Sequence, residues 1–182
     1  MEIQPLAIPD VLLIRPRVFG DHRGFFLESW NRLRLAEAGL DLDFVQDNHS
    51  RSGKHILRGL HYQLKNSQGK LVRVVSGAVF DVAVDLRRSS PTFGRWVGAE
   101  LSEANHHMLW VPPGFAHGFL VLSEAADFLY KCTNYYVQAD EHCILWNDSG
   151  IAIEWPLPAG VSPLLSAKDA AGLTLSAAAT FP

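Results

Sequence analysis

The sequence predicts an all-β fold, a sandwich or barrel with a few short peripheral helices, built as a single domain over residues 1–182. Three observations predict it. The run KLVRVVSGAVFDVAVDLR (70–87) alternates with period two: Phe80, Val82, Val84 and Leu86 fall on one face, and Val79, Asp81, Ala83 and Asp85 on the other. From residue 44 onward, short apolar runs recur at regular spacing, with Gly, Pro, Asn and Asp signals between them. Helix-forming composition is concentrated in one early stretch, SWNRLRLAEA (29–38), and Gly39 stands where a C-terminal helix glycine belongs.

The elements follow in order. VLLIRPRVF (11–19) reads as a strand interrupted by Pro16, hence an edge or irregular strand. FGDHRGFF (19–26) carries turn chemistry in Gly20-Asp21 and Gly24. Gly77 divides the long alternating run into two strands. SPTFG is a turn, RWVGAELS a strand, and HMLWVPPG a strand running into a Pro-Gly turn; GFLVLS, DFLYKCTNYY and ILWND continue the series. The C-terminal part returns to turns at Pro156, Pro158 and Gly160, with a short helix over 167–171.

Composition narrows the function. Of the 182 residues 48% are hydrophobic and only 19% charged, a globular balance with enough chain to bury a core. A net charge of −3 argues against a nucleic-acid partner bound through bulk charge, while leaving an anionic small molecule open to a few local arginines. No apolar run reaches the ~18 residues of a membrane span. The start, MEIQPLAIPD, lacks the basic and apolar regions of a signal peptide. Cys132 and Cys143 are too sparse for a disulfide scaffold and are expected as free thiols of a cytoplasmic protein.

Two histidine motifs carry the chemistry. LRGLHYQ (57–63) holds His61, and PPGFAHGF (112–119) holds His117. The second has the P-x-G-x-x-H spacing of small metal-binding β-barrels. The first departs from that pattern: Gln63 stands where a second ligand His would be, and Lys70 where a carboxylate would be useful. An ammonium is a poor neighbour for a dication, and two His alone make a weak site, so no metal centre is expected. His61 as a packed core histidine is the second reading. Against it, Arg58, His61, Gln63, Lys70 and Arg73 fall within sixteen residues, more polar groups than packing needs. The third reading is a general base, with Lys70 stabilising the anion it creates. The sequence alone does not show that these groups meet.

The residues match a family nearly end to end. DHRGFFLE (21–28), FVQDNHS (44–50), LRGLHYQ, QGKLVRVVSGAVFDVAVDLRRSSPTFG (68–94), VPPGFAHGF (111–119), LYKCTNYY (129–136), LWND (145–148) and SAKD (166–169) together resemble dTDP-4-dehydrorhamnose 3,5-epimerases. The resemblance implies a cupin-like double-stranded β-helix, or jelly roll, working as a homodimer without cofactor or metal. It implies a dTDP-4-keto-6-deoxysugar substrate, dTDP-4-dehydro-6-deoxy-D-glucose, in dTDP-rhamnose biosynthesis. It also implies roles: His61 as base, Lys70 for the C4 oxyanion, Tyr130 as acid and Asp169 as the carboxylate behind His61. Arg23 and Arg58 match phosphate-proximal positions, Gln46 and Asn48 the Q-x-N ligand pair, and Phe26, Glu28 and Tyr136 the base-side positions. His117 is implied in the pocket, paired with Asp81, and some binding residues are implied to cross the dimer interface.

Each role has a plainer rival. Tyr130 could be a core tyrosine, Asp169 stands at capping-box spacing from Ser166, and His117 could be a loop residue. For the whole protein the rivals are an epimerase acting at C3 or C5 only, a non-catalytic sugar-nucleotide binding module, and a metal-dependent barrel enzyme.

Overall fold

The structure, a computed structural model, describes residues 1–182. It opens with β1 (Glu2–Pro5) and β2 (Leu12–Arg15). Pro16 cannot donate to a ladder, and the chain leaves the sheet there. β3 (Val18–Asp21) and β4 (Gly24–Leu27) then pair as a separate two-stranded ribbon. The Asp21 carboxylate closes its turn by accepting the Arg23 amide at 2.8 Å. α1 (Arg32–Glu37) begins late in the predicted stretch because Asn31 caps it, accepting from the Arg34 amide; Gly39 lies just past its end with φ of 85°.

The strand series follows as β5 (Gln46–Gly53), β6 (Leu57–Gln63), β7 (Lys70–Ser76), β8 (Ala78–Asp85), β9 (Trp96–Ser102), β10 (Met108–Val111), β11 (Phe115–Val121), β12 (Ala125–Cys132) and β13 (Glu141–Cys143). α2 (Ala167–Ala170) comes last, on the predicted segment. Two antiparallel sheets result, ordered β1-β2-β10-β7-β12-β5 and β13-β6-β11-β8-β9. This is the expected all-β, cupin-like jelly roll.

The alternation in the long run now has a cause on both faces. Val79 and Ala83 point between the sheets, into a core with Val72, Val74, Leu109, Val111, Phe119 and Phe128. Val82, Val84 and Leu86 point outward, yet are covered by Ile151, Ala178 and partly buried Trp155 and Phe181 of the C-terminal segment. The long, turn-rich tail therefore serves as a second layer over one sheet. On the other sheet, Leu35 of α1 covers Ile14, Leu71, Met108 and Trp110.

Three element expectations need correction. β2 is not an edge strand: β1 pairs with it on one side and β10 on the other. ILWND is not a strand. Pairing in that region comes earlier, at Glu141–Cys143, and Ile144 makes only an isolated bridge to Leu173 before the chain turns. Its apolar residues are buried by the tail rather than by a ladder. DFLYKCTNYY is a strand only as far as Cys132, beyond which Asn134–Val137 form a loop.

Candidate active site

Facing positions on the two sheets converge on one cavity of about 360 Å³. Lys70 of β7, Gln46 and Asn48 of β5, and Tyr130 and Cys132 of β12 line it from one sheet. Register brings them together: Tyr130 lies opposite Asn48, and Cys132 lies opposite both Gln46 and Lys70. His61 and Arg58 of β6 and His117 of β11 line it from the other sheet.

Arg58 and His61 are three apart, so regular alternation would send them to opposite faces. The β6–β11 register shifts between the His117–His61 and Phe119–Arg58 pairs, and both side chains reach the cavity. Gly59 permits this. Its φ is 120°, and an added Cβ would lie 2.5 Å from Cα of Gly118.

His61 Nε2 lies 2.5 Å from Oδ1 of Asp169, and Asp169 is only 3% exposed. The Ser166 hydroxyl donates to Oδ2 of the same carboxylate at 2.7 Å and accepts the Asp169 amide at 3.1 Å. Both readings of Asp169 thus coexist, since Ser166 caps α2 and orients the carboxylate toward His61. Burial pushes the Asp169 carboxyl upward, but hydrogen bonds from His61 and Ser166 prevail and hold it below the usual carboxylate range. Cys143, opposite His61 across β13 and β6, is pushed up to about 12 by burial and then by the Asp169 charge, so it stands beside the pair as a neutral thiol. Both cysteines are free.

His117 Nε2 lies 3.0 Å from each oxygen of Asp81, which has no exposed surface. Burial pushes the Asp81 carboxyl up, against the opposing pull of His117 and Lys70. Lys70 lines the cavity; burial pulls its ammonium down, and Cys132, Asp81 and Glu141 pull it back up. The Tyr130 phenol is raised by burial first and by Cys132 second, so it is a protonated phenol at neutral pH. Arg58 Nε donates to Ser52 Oγ at 2.9 Å, which fixes its approach to the cavity.

The outer end of the cavity is a second network. The Tyr136 amide donates to Gln46 Oε1 at 2.9 Å, and Gln46 Nε2 donates to Asn48 Oδ1 at 3.0 Å. Tyr136 also donates its hydroxyl to Glu141, whose other oxygen accepts from Lys168 Nζ at 2.6 Å. Gln63 is not at the cavity wall. It is buried, donates to the Asn66 and Tyr135 carbonyls, and accepts the Val137 amide at 2.7 Å. It anchors the loop that carries Tyr136.

Arg23, Phe26 and Glu28 do not join the cavity of their own chain. Arg23 sits at the ribbon turn, paired with Asp21. Phe26 lies on β4, 69% exposed, and Glu28 is held by Asn31 at 3.0 Å near α1. Conversely, Ser50, Gln68, Glu141 and Lys168 line the cavity and escaped the sequence reading. Ser50 lies two positions beyond Asn48 on β5, on the face that Gln46 and Asn48 turn to the cavity. Glu141 and Lys168 gave no local signal.

A jelly-roll barrel whose cavity holds an imidazole–carboxylate pair, an ammonium and a phenol is a cupin-like isomerase of the proton-transfer class. Comparison with known proteins makes it specific: the chain belongs to the dTDP-4-dehydrorhamnose 3,5-epimerase family, whose model matches residues 5–177. It is 58% identical over 183 aligned positions to a dTDP-4-dehydrorhamnose 3,5-epimerase of Pseudomonas aeruginosa, covering 100% of both chains. A dTDP-6-deoxy-D-glucose-3,5-epimerase from Legionella pneumophila, solved with dTDP-4-keto-L-rhamnose, superposes with a TM-score of 0.93 at 52% identity, over 97% of this chain and 93% of that one. ChmJ, a 3′-monoepimerase from Streptomyces bikiniensis solved with dTDP-quinovose, superposes with a TM-score of 0.88 at 34% identity, over 94% and 87%.

Proposed function

We propose that this protein epimerises dTDP-4-dehydro-6-deoxy-D-glucose at C3 and C5, giving dTDP-4-dehydro-L-rhamnose. The observation that carries the reading is the His61–Asp169 contact at 2.5 Å, in one cavity with Lys70 and Tyr130. The C4 ketone acidifies the hydrogens on both flanking carbons. Asp169 fixes the His61 ring through Nε2, leaving the other ring nitrogen for the substrate proton. The pair of electrons moves to the C4 oxygen, where the Lys70 ammonium stabilises the enolate. Tyr130, on the facing sheet, donates its proton to the opposite face of the carbon and inverts it. No step in this sequence calls for a cofactor.

Arg58 and Lys168 supply cationic contacts for the diphosphate, Gln46 and Asn48 polar contacts, and Tyr136 an aromatic face for the base. His117, tied to Asp81, completes the cavity wall beside the sugar. Arg23, Phe26 and Glu28 serve the same nucleotide from the ribbon of a second copy, in a homodimer. Supporting this, Phe19, Phe25 and Phe26 on the ribbon are 51%, 63% and 69% exposed, an apolar load unusual for a free surface. The chain works as one domain, and two free thiols support a cytoplasmic location. No helix is long and apolar enough to cross a membrane.

The runner-up, epimerisation at C3 or C5 only, is kept by the likeness to the 3′-monoepimerase. Incubation with the ketosugar in D₂O separates them. Deuterium at both carbons, with inverted configuration, supports the 3,5-epimerase. Deuterium at one carbon supports the runner-up, and none at either overturns both.

A further inference from the structure

Cys143 completes a three-donor cluster with the His61–Asp169 pair. Its Sγ, one His61 ring nitrogen and one Asp169 carboxylate oxygen all lie within 4.8 Å of one another. Tetrahedral zinc, with bonds of roughly 2.0–2.3 Å, holds its donors about 3.3–3.8 Å apart, so side-chain rotation must open the 2.5 Å His61–Asp169 contact and bring the Cys143 thiol in. The donors come from three elements, β6, β13 and α2, with Cys143 the direct cross-strand partner of His61. An imidazole, a thiolate and a carboxylate form the mixed set that suits zinc-class cations rather than magnesium or calcium.

This is not where the P-x-G-x-x-H spacing would seat a metal. There His117 is committed to Asp81, and the Gln63 amide is consumed by the Tyr136 loop. The new cluster is also reachable from two sides. His61 lines the substrate cavity, and His61 with Asp169 lines a second groove of about 560 Å³, bordered by Ile56, Leu57 and Leu164. The nearby Lys168 ammonium, which would repel a cation, is paired with Glu141 at 2.6 Å, and that carboxylate offsets part of the repulsion.

We infer that His61, Cys143 and Asp169 form an inhibitory binding site for a thiophilic divalent cation of the zinc class. The ion displaces the thiol proton of Cys143 to solvent, and the ring proton that His61 holds toward Asp169 moves to the other ring nitrogen, so the imidazole binds the ion in its neutral form. One thiolate and one carboxylate then balance its two charges. The imidazole is committed to the metal and no longer removes a substrate proton. The inference rests on His61 being the base.

The test uses the full chain with zinc chloride, with magnesium chloride as control, in the deuterium-exchange assay. Zinc should stop exchange, EDTA should restore it, and magnesium should do nothing. In Cys143→Ser the uninhibited rate should stay, and the inhibition constant should rise at least ~10-fold, as expected for a lost ligand. Cadmium chloride gives a readout independent of turnover: a thiolate-to-metal absorption band in the parent protein, absent from Cys143→Ser. Equal zinc inhibition of the two proteins, or no cadmium band in the parent, overturns the site. If the protein turns over no ketosugar at all, the functional reading falls, and the cadmium band alone decides the site.

Discussion

His61 and His117 are cross-strand partners on β6 and β11, yet each is tied to a different carboxylate: His61 to Asp169 at 2.5 Å, His117 to Asp81 at 3.0 Å. The two pairs are not equivalent. Asp169 is held below the ordinary range by hydrogen bonds, whereas burial pushes Asp81 up. A low carboxylate keeps its charge next to an imidazole that must accept a proton. This asymmetry supports the role of base proposed above for His61.

His61→Ala should therefore lose deuterium exchange at both carbons by at least ~10²-fold, the cost of a missing general base. Binding of dTDP, measured by calorimetry, should survive, because Arg58, Gln46 and Asn48 remain. Near-normal turnover would remove His61 from the mechanism.

Tyr130→Phe separates abstraction from inversion. The base and the oxyanion group are untouched, so deuterium should still enter the substrate, returned by the face it left. Inverted product should fall by roughly 10²-fold or more. If inversion persists, NMR of the product will show it, and the acid must be sought elsewhere.

Asp85 predicts a stability effect away from the cavity. Burial pushes its carboxyl up, but hydrogen bonds from Arg87, Ser90 and Thr92 win and bring it from 3.8 to about 2. A depressed carboxylate stabilises the fold above its unfolded value and loses that contribution as pH falls through the folded one. The contribution is roughly 2 kcal/mol, full above about pH 4 and gone near pH 2. Asp85→Asn should be less stable in urea at pH 7 by about that amount, with the gap closing in acid. A gap independent of pH would refute the linkage.

Gly59→Ala should destabilise the protein by at least ~2 kcal/mol, since the new methyl meets Gly118 in a backbone conformation that side chains disfavour. Urea midpoints compared with the parent provide the check. An unchanged midpoint would mean that the register shift does not depend on glycine.

Much of this architecture is written locally. Period-two alternation marks β7 and β8, and Gly77 marks the turn between them, because a strand with both faces covered still shows its own repeat. Pro16 breaks the first strand as read, yet nothing local says that β1 will return to cover β2. ILWND misleads because a tail can bury apolar residues as well as a ladder can. Within the site, Lys70 is legible from the polar cluster around His61, and Asn48 and Tyr130 from the family resemblance, with their cross-strand pairing supplied only by the fold. Alternation does not place His61 and Arg58 together, since their joint presence depends on an irregularity at Gly59. Asp169 lies 108 positions from His61, and only the fold brings them together.

The aromatic stack of Phe119 and Phe128, with ring centroids 4.1 Å apart, belongs both to the core between the sheets and to the wall of the cavity. His61 and Tyr130 sit on opposite sheets, so the rings that space the sheets also set the span between the proposed base and the proposed acid. In this barrel the packing acts as a calliper for the chemistry. A substitution such as Phe128→Leu, though it touches no titratable group, would retune the enzyme by changing the gap that the substrate ring must bridge.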